Sequence, residues 1–304
     1  MELGMIGLGR MGSNMAQRLT RGGHCVVGYD AHAAPRENAR AKCTVIANSH
    51  VELTAALAPP RVLWLMVPAG DPVDEAIAAL LPHMAPGDIV VDGGNSHYRD
   101  TQRRAQALAR QHVLYIDAGT SGGVWGLDNG YCMMIGGDDA AVARIRPIIE
   151  TLAPAPDRGW LHAGPSGAGH FVKMVHNGIE YGLMQAYAEG FALMARKQEF
   201  ALDLHAIAEA WRDGSVVRSW LLDLTADALR KHPGLGGIAP HVADSGEGRW
   251  TVAEAIALDV AAPVITLSLL ERLRSRERNS FADRLLAALR GEFGGHEVKK
   301  IEPS

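Results

Sequence analysis

The sequence predicts two domains of different fold class, an α/β domain with a parallel sheet followed by an all-α domain. Two observations support this prediction. In residues 1–163, short apolar runs alternate with segments of helical periodicity, which is typical of β-α-β units. In residues 164–304, helical segments follow one another without strand-like runs between them. We therefore place the domain boundary between residues 163 and 164.

The first β-α-β unit contains a glycine turn followed by an acid. An apolar run over residues 2–7 leads into Gly7-Leu8-Gly9-Arg10-Met11-Gly12, and a second apolar run ends at Asp30, 18 residues after Gly12. Glycines at this spacing let backbone amides approach a pyrophosphate at the start of a helix. An acid at this distance can accept hydrogen bonds from the ribose hydroxyls. The unit predicts a Rossmann-type dinucleotide-binding domain.

Asp30 also indicates which dinucleotide is bound. Its carboxylate would repel the 2′-phosphate of NADP, so NAD is the favoured cofactor. Arg36 lies six residues further on and is able to pair with that phosphate, which keeps NADP open as the less favoured choice.

Further strands are predicted over residues 61–67, 88–92 and 113–117, with helices between them over residues 71–81 and 98–110. Ligands of parallel sheets bind beyond the carboxyl ends of the strands. Three turns fall there, namely Val67-Pro68-Ala69-Gly70, Asp92-Gly93-Gly94-Asn95-Ser96 and Thr120-Ser121-Gly122-Gly123. We expect these turns to line the nicotinamide side, although tight turning alone would explain the glycines of any one of them.

A helix predicted over residues 170–196 contains a polar face. Its residues Lys173, His176, Asn177, Glu180 and Tyr181 fall within about 140° of arc, so their side chains can point into one cleft. Lys173 and Glu180 are the only charged residues between positions 171 and 188. A base and an acid on one face predict a catalytic helix. A solvated stripe or a satisfied polar pair in the core is the alternative interpretation.

The remaining helices are predicted over residues 204–212, 216–231, 251–258 and 264–289. A Gly/Pro-rich loop over residues 233–248 is long enough to indicate a function. The arginine-rich run over residues 271–278 alternates with glutamates and is interpreted as a solvated helix face.

Composition argues against several partners. With 30 basic and 34 acidic residues, the formal net charge is −4, which gives no general attraction to nucleic acid or to anionic membranes. No apolar stretch is long enough to cross a bilayer, and the chain starts without a signal-peptide pattern. We expect a cytoplasmic protein.

The motifs resemble those of one family over nearly the whole chain. GLGRMGSNMA is similar to its cofactor fingerprint, GAGHFVKMVHNGIEYG to its catalytic helix, and DGGNSHYRDT and SGG to its substrate and nicotinamide loops. This family is the 6-phosphogluconate dehydrogenases of the short bacterial, NAD-using type, within the β-hydroxyacid dehydrogenases. Other branches share the glycine fingerprint and the lysine but not DGGNS combined with HNGIEY.

The resemblance implies a role for each site residue. Lys173 would be the general base, Glu180 the general acid, and Asn177 a donor to the enolate oxygen. The sugar acid would be held by Asn95, Ser121, Gly122, Gly123, His176 and Asn177. Its phosphate would be bound by Tyr181 and Arg218, with Arg290 as a further cation for the phosphate and His296 as a further substrate contact. The last two lie in a tail motif that reaches the neighbouring subunit, which implies a homodimer or homotetramer. The cofactor would contact the glycine turn, Asp30, Val67, Pro68 and Asn95.

The chain departs from the long-chain relatives in three features. Those enzymes have a phosphate-binding lysine in a loop before Lys-Trp-Thr, whereas the segment DSGEGRWT has Glu247 in that vicinity, so phosphate binding there is left open. The helical domain is also shorter, and Asp30 replaces the asparagine and arginine that accompany NADP preference. The sequence assigns no role to His97, His241 or Trp125.

The implied reaction oxidises the C3 hydroxyl of 6-phosphogluconate by hydride transfer to NAD and then releases CO2 to give ribulose 5-phosphate. Lys173 would take the hydroxyl proton, and we expect burial beside the oxidised nicotinamide to lower its pKa. Lys173 and Asn177 would hold the enolate oxygen, so the reaction requires no metal. Glu180, about 10 Å further along the helix, would protonate the enediol carbon.

Two alternatives stay open. A non-decarboxylating relative acting on a small acid such as 3-hydroxyisobutyrate would not need Tyr181 or the two arginines. A non-catalytic dinucleotide-binding scaffold would not need a lysine and a glutamate on one helix face.

Overall fold

The computed structural model describes residues 1–277, 279–294 and 299. The chain divides into two compact units, Met1–Gly178 and Ile179–Ser304. The first unit is built around a sheet of eight strands, and the second unit is helical. These classes confirm the predicted α/β domain followed by an all-α domain.

The sheet has the strand order of a dinucleotide-binding fold. Its strands are β1 Glu2–Ile6, β2 Cys25–Tyr29, β3 Val45–Ile46, β4 Val62–Leu65, β5 Ile89–Asp92, β6 Leu114–Ser121, β7 Cys132–Gly136 and β8 Trp160–Gly164. They are arranged as β3-β2-β1-β4-β5-β6-β7-β8. The first six strands pair in parallel, β7 is antiparallel to β6, and β8 is parallel to β7. The order reverses between β1 and β4, and such switch points are where open α/β sheets bind dinucleotides.

The helices of the first unit are α1 Arg10–Arg21, α2 Ala33–Asn38, α3 His50–Ala55, α4 Asp71–Leu80, α5 Tyr98–Ala109, α6 Gly126–Asn129 and α7 Asp139–Leu152. Helix α8, Ala168–Arg196, contains the division between the units. The second unit continues with α9 Leu204–Arg212, α10 Trp220–Lys231, α11 Glu247–Ala257, α12 Pro263–Arg274 and α13 Phe281–Gly294.

Apolar side chains bury both faces of the sheet. Leu3 and Met5 of β1 join one core cluster with Met15 of α1, whereas Leu63 and Leu65 of β4 join the opposite cluster. Strands covered on both faces read as continuous apolar runs, which is why β1 and β4 were predictable from sequence. Each fully buried aliphatic side chain contributes about 1.5–3 kcal/mol to the free energy of unfolding.

The second unit has a smaller core, formed between α8, α9 and α10. Its buried members are Phe191, Ala208, Leu222, Ala226 and Leu229. The single helix predicted over residues 264–289 is wrong, because α12 ends at Arg274 and α13 begins at Phe281. A polar cap starts the second of these helices, since the Ser280 hydroxyl accepts a hydrogen bond from the Asp283 amide at 3.2 Å.

The predicted domain boundary lies before α8, whereas the compact units divide inside this helix. The reason is the close packing of its first turns on the sheet. A Cβ atom added to Gly169 would lie 2.7 Å from the amide nitrogen of Gly136 in β7, so the helix backbone touches the strand. The first turns of α8 therefore pack with the first unit, and the boundary at residue 163 stays a prediction.

Candidate active site

The glycine turn between β1 and α1 has the geometry that close approach to a ligand requires. Gly7 has a φ of +92°, and its amide donates to the Tyr29 carbonyl at 2.8 Å. A Cβ atom on Gly12 would collide with the Gly7 carbonyl, whereas no atom lies within 4 Å of one built on Gly9. The open space at Gly9 and the start of α1 at Arg10 fit a pyrophosphate bound to backbone amides. Leu8 and Met11 instead turn their side chains into the core.

Asp30 is held directly against this turn. Its Oδ2 accepts a hydrogen bond from the Leu8 amide at 2.8 Å, and its Oδ1 accepts one from the His32 amide at 2.9 Å. Each carboxylate oxygen keeps a further lone pair for a ribose hydroxyl. The Arg36 guanidinium donates to the backbone carbonyls of Asp30 and Ala31 at 2.7 and 3.3 Å. In this arrangement the Asp30 carboxylate fits the ribose of NAD, and the Arg36 guanidinium is hydrogen-bonded to the backbone.

The loops after β4 and β5 meet at the same edge of the sheet. A Cβ atom on Gly94 would lie 2.6 Å from the Val67 carbonyl oxygen, so the two backbones touch. Pro68 is exposed beside them. Asn95 has a φ of +52°, and its amide group pairs with the backbone of Thr120, accepting from N at 2.9 Å and donating to O at 3.2 Å. Asn95 therefore joins the loop after β5 to the end of β6.

Lys173 is a buried amine placed over β6. Its side chain is 4% exposed, and its Nζ donates to Asn177 Oδ1 at 2.6 Å and lies 3.4 Å from His176 Nδ1. A Cβ atom on Gly119 would lie 2.5 Å from the Lys173 Cβ, so only glycine permits this approach. The packing of α8 on β6 therefore fixes the position of a buried amine, the kind of group that can act as a general base.

The segment after Gly119 continues toward the predicted substrate loop. Ser121 ends β6 two residues later and therefore faces the same side of the sheet as Gly119. Gly122 and Gly123 follow with φ angles of +135° and +52°, which favour glycine. The structure thus brings Ser121 to the face of the sheet on which Lys173 lies.

A buried carboxylate fixes the start of α8. Asp117 in β6 accepts hydrogen bonds from the amides of Gly167 at 2.8 Å and His170 at 2.9 Å, and it is fully buried. These amides belong to the unsatisfied donors of a helix N-terminus, where a negative charge is also favourable. Asp117 therefore sets the position of the helix that carries Lys173.

In the second unit, Tyr181 is buried beneath an arginine that sequence reasoning missed. The guanidinium carbon of Arg272 lies 3.6 Å from the centre of the Tyr181 ring. The Tyr181 hydroxyl accepts from the Ser245 amide at 3.2 Å, and the Ser245 hydroxyl donates to the buried carboxylate of Glu247. Arg272 lies in the run interpreted as a solvated surface, and no signal in the sequence distinguishes it from its neighbours.

The other predicted phosphate residues are exposed or lie outside the described residues. Arg218 is exposed between α9 and α10, and Arg290 is exposed on α13. His296 lies outside the described residues. Glu180 is half-buried on α8, and its carboxylate makes no hydrogen bond or ion pair with the residues that the structure describes.

The residues without a predicted role differ in position. His97 caps α5 by accepting a hydrogen bond from the Arg99 amide at 3.2 Å, whereas His241 and Trp125 are exposed.

Within residues 1–277 and 279–294, no group of three or more potential metal-binding side chains is assembled. Over the same ranges, no helix combines the length and apolarity needed to cross a membrane.

A parallel sheet with a glycine turn at its switch point and a buried lysine at the same edge is the arrangement of a dinucleotide-dependent dehydrogenase, and the fold and site place the chain in this class. Residues 2–161 match the family model of the NAD binding domain of 6-phosphogluconate dehydrogenase, and residues 169–288 match that of its C-terminal domain. The chain belongs to the 6-phosphogluconate dehydrogenase family.

Individual relatives agree with this assignment. The NAD(+)-dependent, decarboxylating 6-phosphogluconate dehydrogenase of Haloferax volcanii is 45% identical over 99% of both chains. The structure of Plasmodium falciparum 6-phosphogluconate dehydrogenase matches with a TM-score of 0.84 and 29% identity, covering 100% of this chain and 67% of that one. The 3-hydroxyisobutyrate dehydrogenase of Mycobacterium tuberculosis matches with a TM-score of 0.70 at 23% identity, covering 88% of this chain and 90% of that one, which shows a shared fold.

Proposed function

We propose that the chain catalyses the NAD-dependent oxidative decarboxylation of 6-phosphogluconate to ribulose 5-phosphate and CO2. The observation that supports this most strongly is the buried Lys173 amine, bonded to Asn177 at the carboxyl edge of a dinucleotide-binding sheet. The Haloferax volcanii relative, which is similar over its whole length, is named NAD(+)-dependent and decarboxylating.

In the first step, the neutral Lys173 amine takes the proton of the C3 hydroxyl. Bound NAD supplies the acceptor for the hydride that leaves C3. Because Asn177 Oδ1 accepts from Lys173 Nζ, its Nδ2 hydrogens are left to donate to the C3 oxygen. Lys173 and Asn177 together orient this oxygen before and after oxidation.

In the second step, the new ketone at C3 lies β to the C1 carboxylate. The C1–C2 bond breaks, CO2 leaves, and the electron pair forms an enolate whose charge rests on the C3 oxygen. The protonated Lys173 stabilises this charge, and burial makes the interaction stronger than in water. Glu180 then protonates C2, and its carboxylate has no competing partner among the described residues.

We propose Tyr181 and Arg272 as the phosphate site within the chain. A guanidinium stacked on an aromatic ring keeps its N–H groups in its own plane, available for a phosphate. Arg272 uses two of its five N–H donors on Ala243 O at 3.0 Å and Met184 Sδ at 3.4 Å, which leaves three. Arg218 is then a surface residue, whereas Arg290 and His296 remain the proposed contribution of a neighbouring subunit.

We also propose a homodimer or homotetramer in the cytoplasm. Helices α12 and α13 expose large apolar side chains, with Val264, Leu267, Leu286 and Leu289 each more than half exposed. Exposed apolar patches of this kind are typical of protein interfaces. Arg290 lies on α13, so an interface formed by this helix would bring the arginine close to a second chain.

A panel of substrates and cofactors tests the proposal. We expect kcat/KM for 6-phosphogluconate with NAD to exceed the values for gluconate and for 3-hydroxyisobutyrate, and NADP to be the poorer cofactor. Turnover of 3-hydroxyisobutyrate alone would favour the non-decarboxylating alternative. Absence of NAD reduction with all three acids would favour the non-catalytic scaffold.

A further inference from the structure

A single buried guanidinium ties together the loops after β4 and β5. Arg104 on α5 is 3% exposed, and its Nη2 donates to the Gly70 carbonyl at 2.9 Å. Its Nε and Nη2 donate to the two oxygens of Asp74, in the first turn of α4, at 3.0 and 2.8 Å. Its Nη1 lies 3.6 Å from Oδ2 of Asp92, the last residue of β5.

Asp92 in turn fixes the loop that contains Asn95. This fully buried carboxylate accepts hydrogen bonds from the Ser96 hydroxyl at 2.7 Å, the Tyr115 hydroxyl at 2.8 Å and the Gly94 amide at 3.0 Å. Burial beside Asp92 raises the pKa of Tyr115 well above its usual range, so the phenol stays a donor. The turn includes Asn95 at a φ of +52°, a left-handed conformation that asparagine adopts more readily than most residues.

The position of Asn95 then determines the end of β6. Its amide group pairs with both backbone groups of Thr120, which precedes Ser121. Contacts therefore run from Arg104 through Asp92 and Asn95 to the loop that we propose to hold the sugar acid. A second branch runs from Arg104 to Gly70, in the loop that we propose to line the nicotinamide.

A buried carboxylate such as Asp92 costs several kcal/mol unless a nearby charge and hydrogen bonds compensate it. Arg104 supplies that charge. Arg103 binds the same Asp74 at 3.0 Å, but its side chain is 57% exposed, and it is not bonded to Gly70 or Asp92. Arg103 is therefore a matched control, because it shares Asp74 with Arg104 but is not bonded to Gly70 or Asp92.

We propose that Arg104 is a positioning residue for the nicotinamide end of the cofactor, acting through Gly70 and Asp92 without touching cofactor or substrate. The inference rests on the proposed function, because that function assigns the nicotinamide to these loops. The hydrogen bonds of the Arg104 side chain go to Asp74 and Gly70, and not to the glycine turn that fits the pyrophosphate, so the two ends of the cofactor should respond differently when Arg104 is changed.

Binding of NADH and of ADP-ribose tests this difference, because ADP-ribose has the adenosine and pyrophosphate but no nicotinamide. In Arg104→Lys the charge remains, but one ammonium cannot contact Gly70, Asp74 and Asp92 together. We expect its Kd for NADH to rise about tenfold and its Kd for ADP-ribose to stay within about twofold, with a fall in kcat of roughly 10- to 100-fold. Arg103→Lys should leave all three values unchanged.

Tyr115→Phe provides a second, milder variant should Arg104→Lys fail to fold. It removes one hydrogen bond to Asp92 and keeps the ring. We expect its Kd for NADH to rise about two- to fivefold, with the Kd for ADP-ribose again little changed. Equal losses of NADH and ADP-ribose affinity, or no loss of either, would overturn the proposal. Turnover of 6-phosphogluconate by the unaltered protein is a separate readout, so failure of the proposed function is distinguishable from failure of the role of Arg104.

Discussion

Lys173 is the residue on which the proposed chemistry depends. Replacing it with Met preserves the length and apolar stem of the side chain but removes the amine that accepts the C3 proton. We expect kcat to fall by roughly 10²- to 10⁴-fold, the usual contribution of general acid–base catalysis, while the Kd for NADH changes little. Steady-state kinetics and a binding titration measure the two effects.

Lys197→Met is the matched control for this substitution. Lys197 follows the end of α8, is about half exposed, and pairs with Glu199 at 2.6 Å. Its loss should leave kcat unchanged. Substantial turnover by Lys173→Met, or an equal loss in Lys197→Met, would reject Lys173 as the base.

A pair of arginine variants distinguishes the two candidate phosphate cations. Arg272 is stacked on Tyr181, whereas Arg218 is exposed, so Arg272→Met should raise the KM for 6-phosphogluconate and Arg218→Met should not. A charge-assisted hydrogen bond contributes about 1.5–3 kcal/mol, which corresponds to a rise of roughly 10- to 100-fold.

The opposite pattern, with KM raised only in Arg218→Met, would restore the role that the sequence motif implies for Arg218. A change in kcat alone in Arg272→Met would place this arginine outside the phosphate site.

At the scale of residues, the sequence predicts contacts between side chains that are close along the chain, but it does not predict contacts between distant ones. Lys173, His176 and Asn177 are close in sequence on one helix, so their meeting follows from helical periodicity. Tyr181 and Arg272 are brought together by the packing of α8 and α12, and such long-range contacts leave no periodic signal. Asn95 was predicted as a ligand residue, and its bonds to Thr120 were not predictable for the same reason.

At the scale of elements, the N-terminus of α8 links stability to catalysis. Asp117→Asn keeps the shape of the side chain but removes the charge that two helix amides share. We expect the free energy of unfolding to fall by about 1–2 kcal/mol and kcat to fall as well, because Lys173 lies on the second turn of the helix. Thermal unfolding and steady-state kinetics measure the two changes.

Asp138→Asn separates these two effects. Asp138 caps α7 by accepting the amides of Ala140 at 3.0 Å and Ala141 at 3.2 Å, and α7 contains none of the proposed site residues. This variant should lose similar stability and keep its kcat. A fall in kcat of the same size in both variants would show that the cap of α8 has no specific effect on the site.

Elements were predictable from sequence where their pattern is local. The core of the dinucleotide-binding domain was predictable from its glycine turn and from the apolar runs of β1, β2, β4 and β5. The division between α12 and α13 was missed because the break depends on a single capping serine, Ser280, within a pattern that is otherwise helical. Strands β7 and β8, which extend the sheet beyond the parallel part, were also not predicted individually.

At the scale of the whole molecule, the half-buried carboxylate of Asp74 predicts a loss of stability in acid. The hydrogen bond that Arg104 donates to Asp74 holds the pKa of this carboxyl group well below its usual range, so the carboxylate is stabilised in the folded state. A depressed folded pKa contributes stability that is present above the unfolded value of about 4 and is lost as pH falls through the folded value.

We therefore expect Tm to decline below about pH 4 in the unaltered protein. Asp74→Asn should have a lower Tm at pH 6 and a shallower decline in acid, because one of the titrating groups is gone. Equal slopes below pH 4 in the two proteins would show that Asp74 contributes nothing to the acid transition.

The most direct test of the proposed function is the stoichiometry of CO2 and NADH formed from 6-phosphogluconate labelled with ¹³C at C1. Lys173 and Asn177 are proposed to support both oxidation and decarboxylation, so one labelled CO2 should be released for each NADH, with ribulose 5-phosphate as the product. NADH formed without labelled CO2 would contradict the decarboxylating mechanism. Absence of both products would contradict the proposed function as a whole.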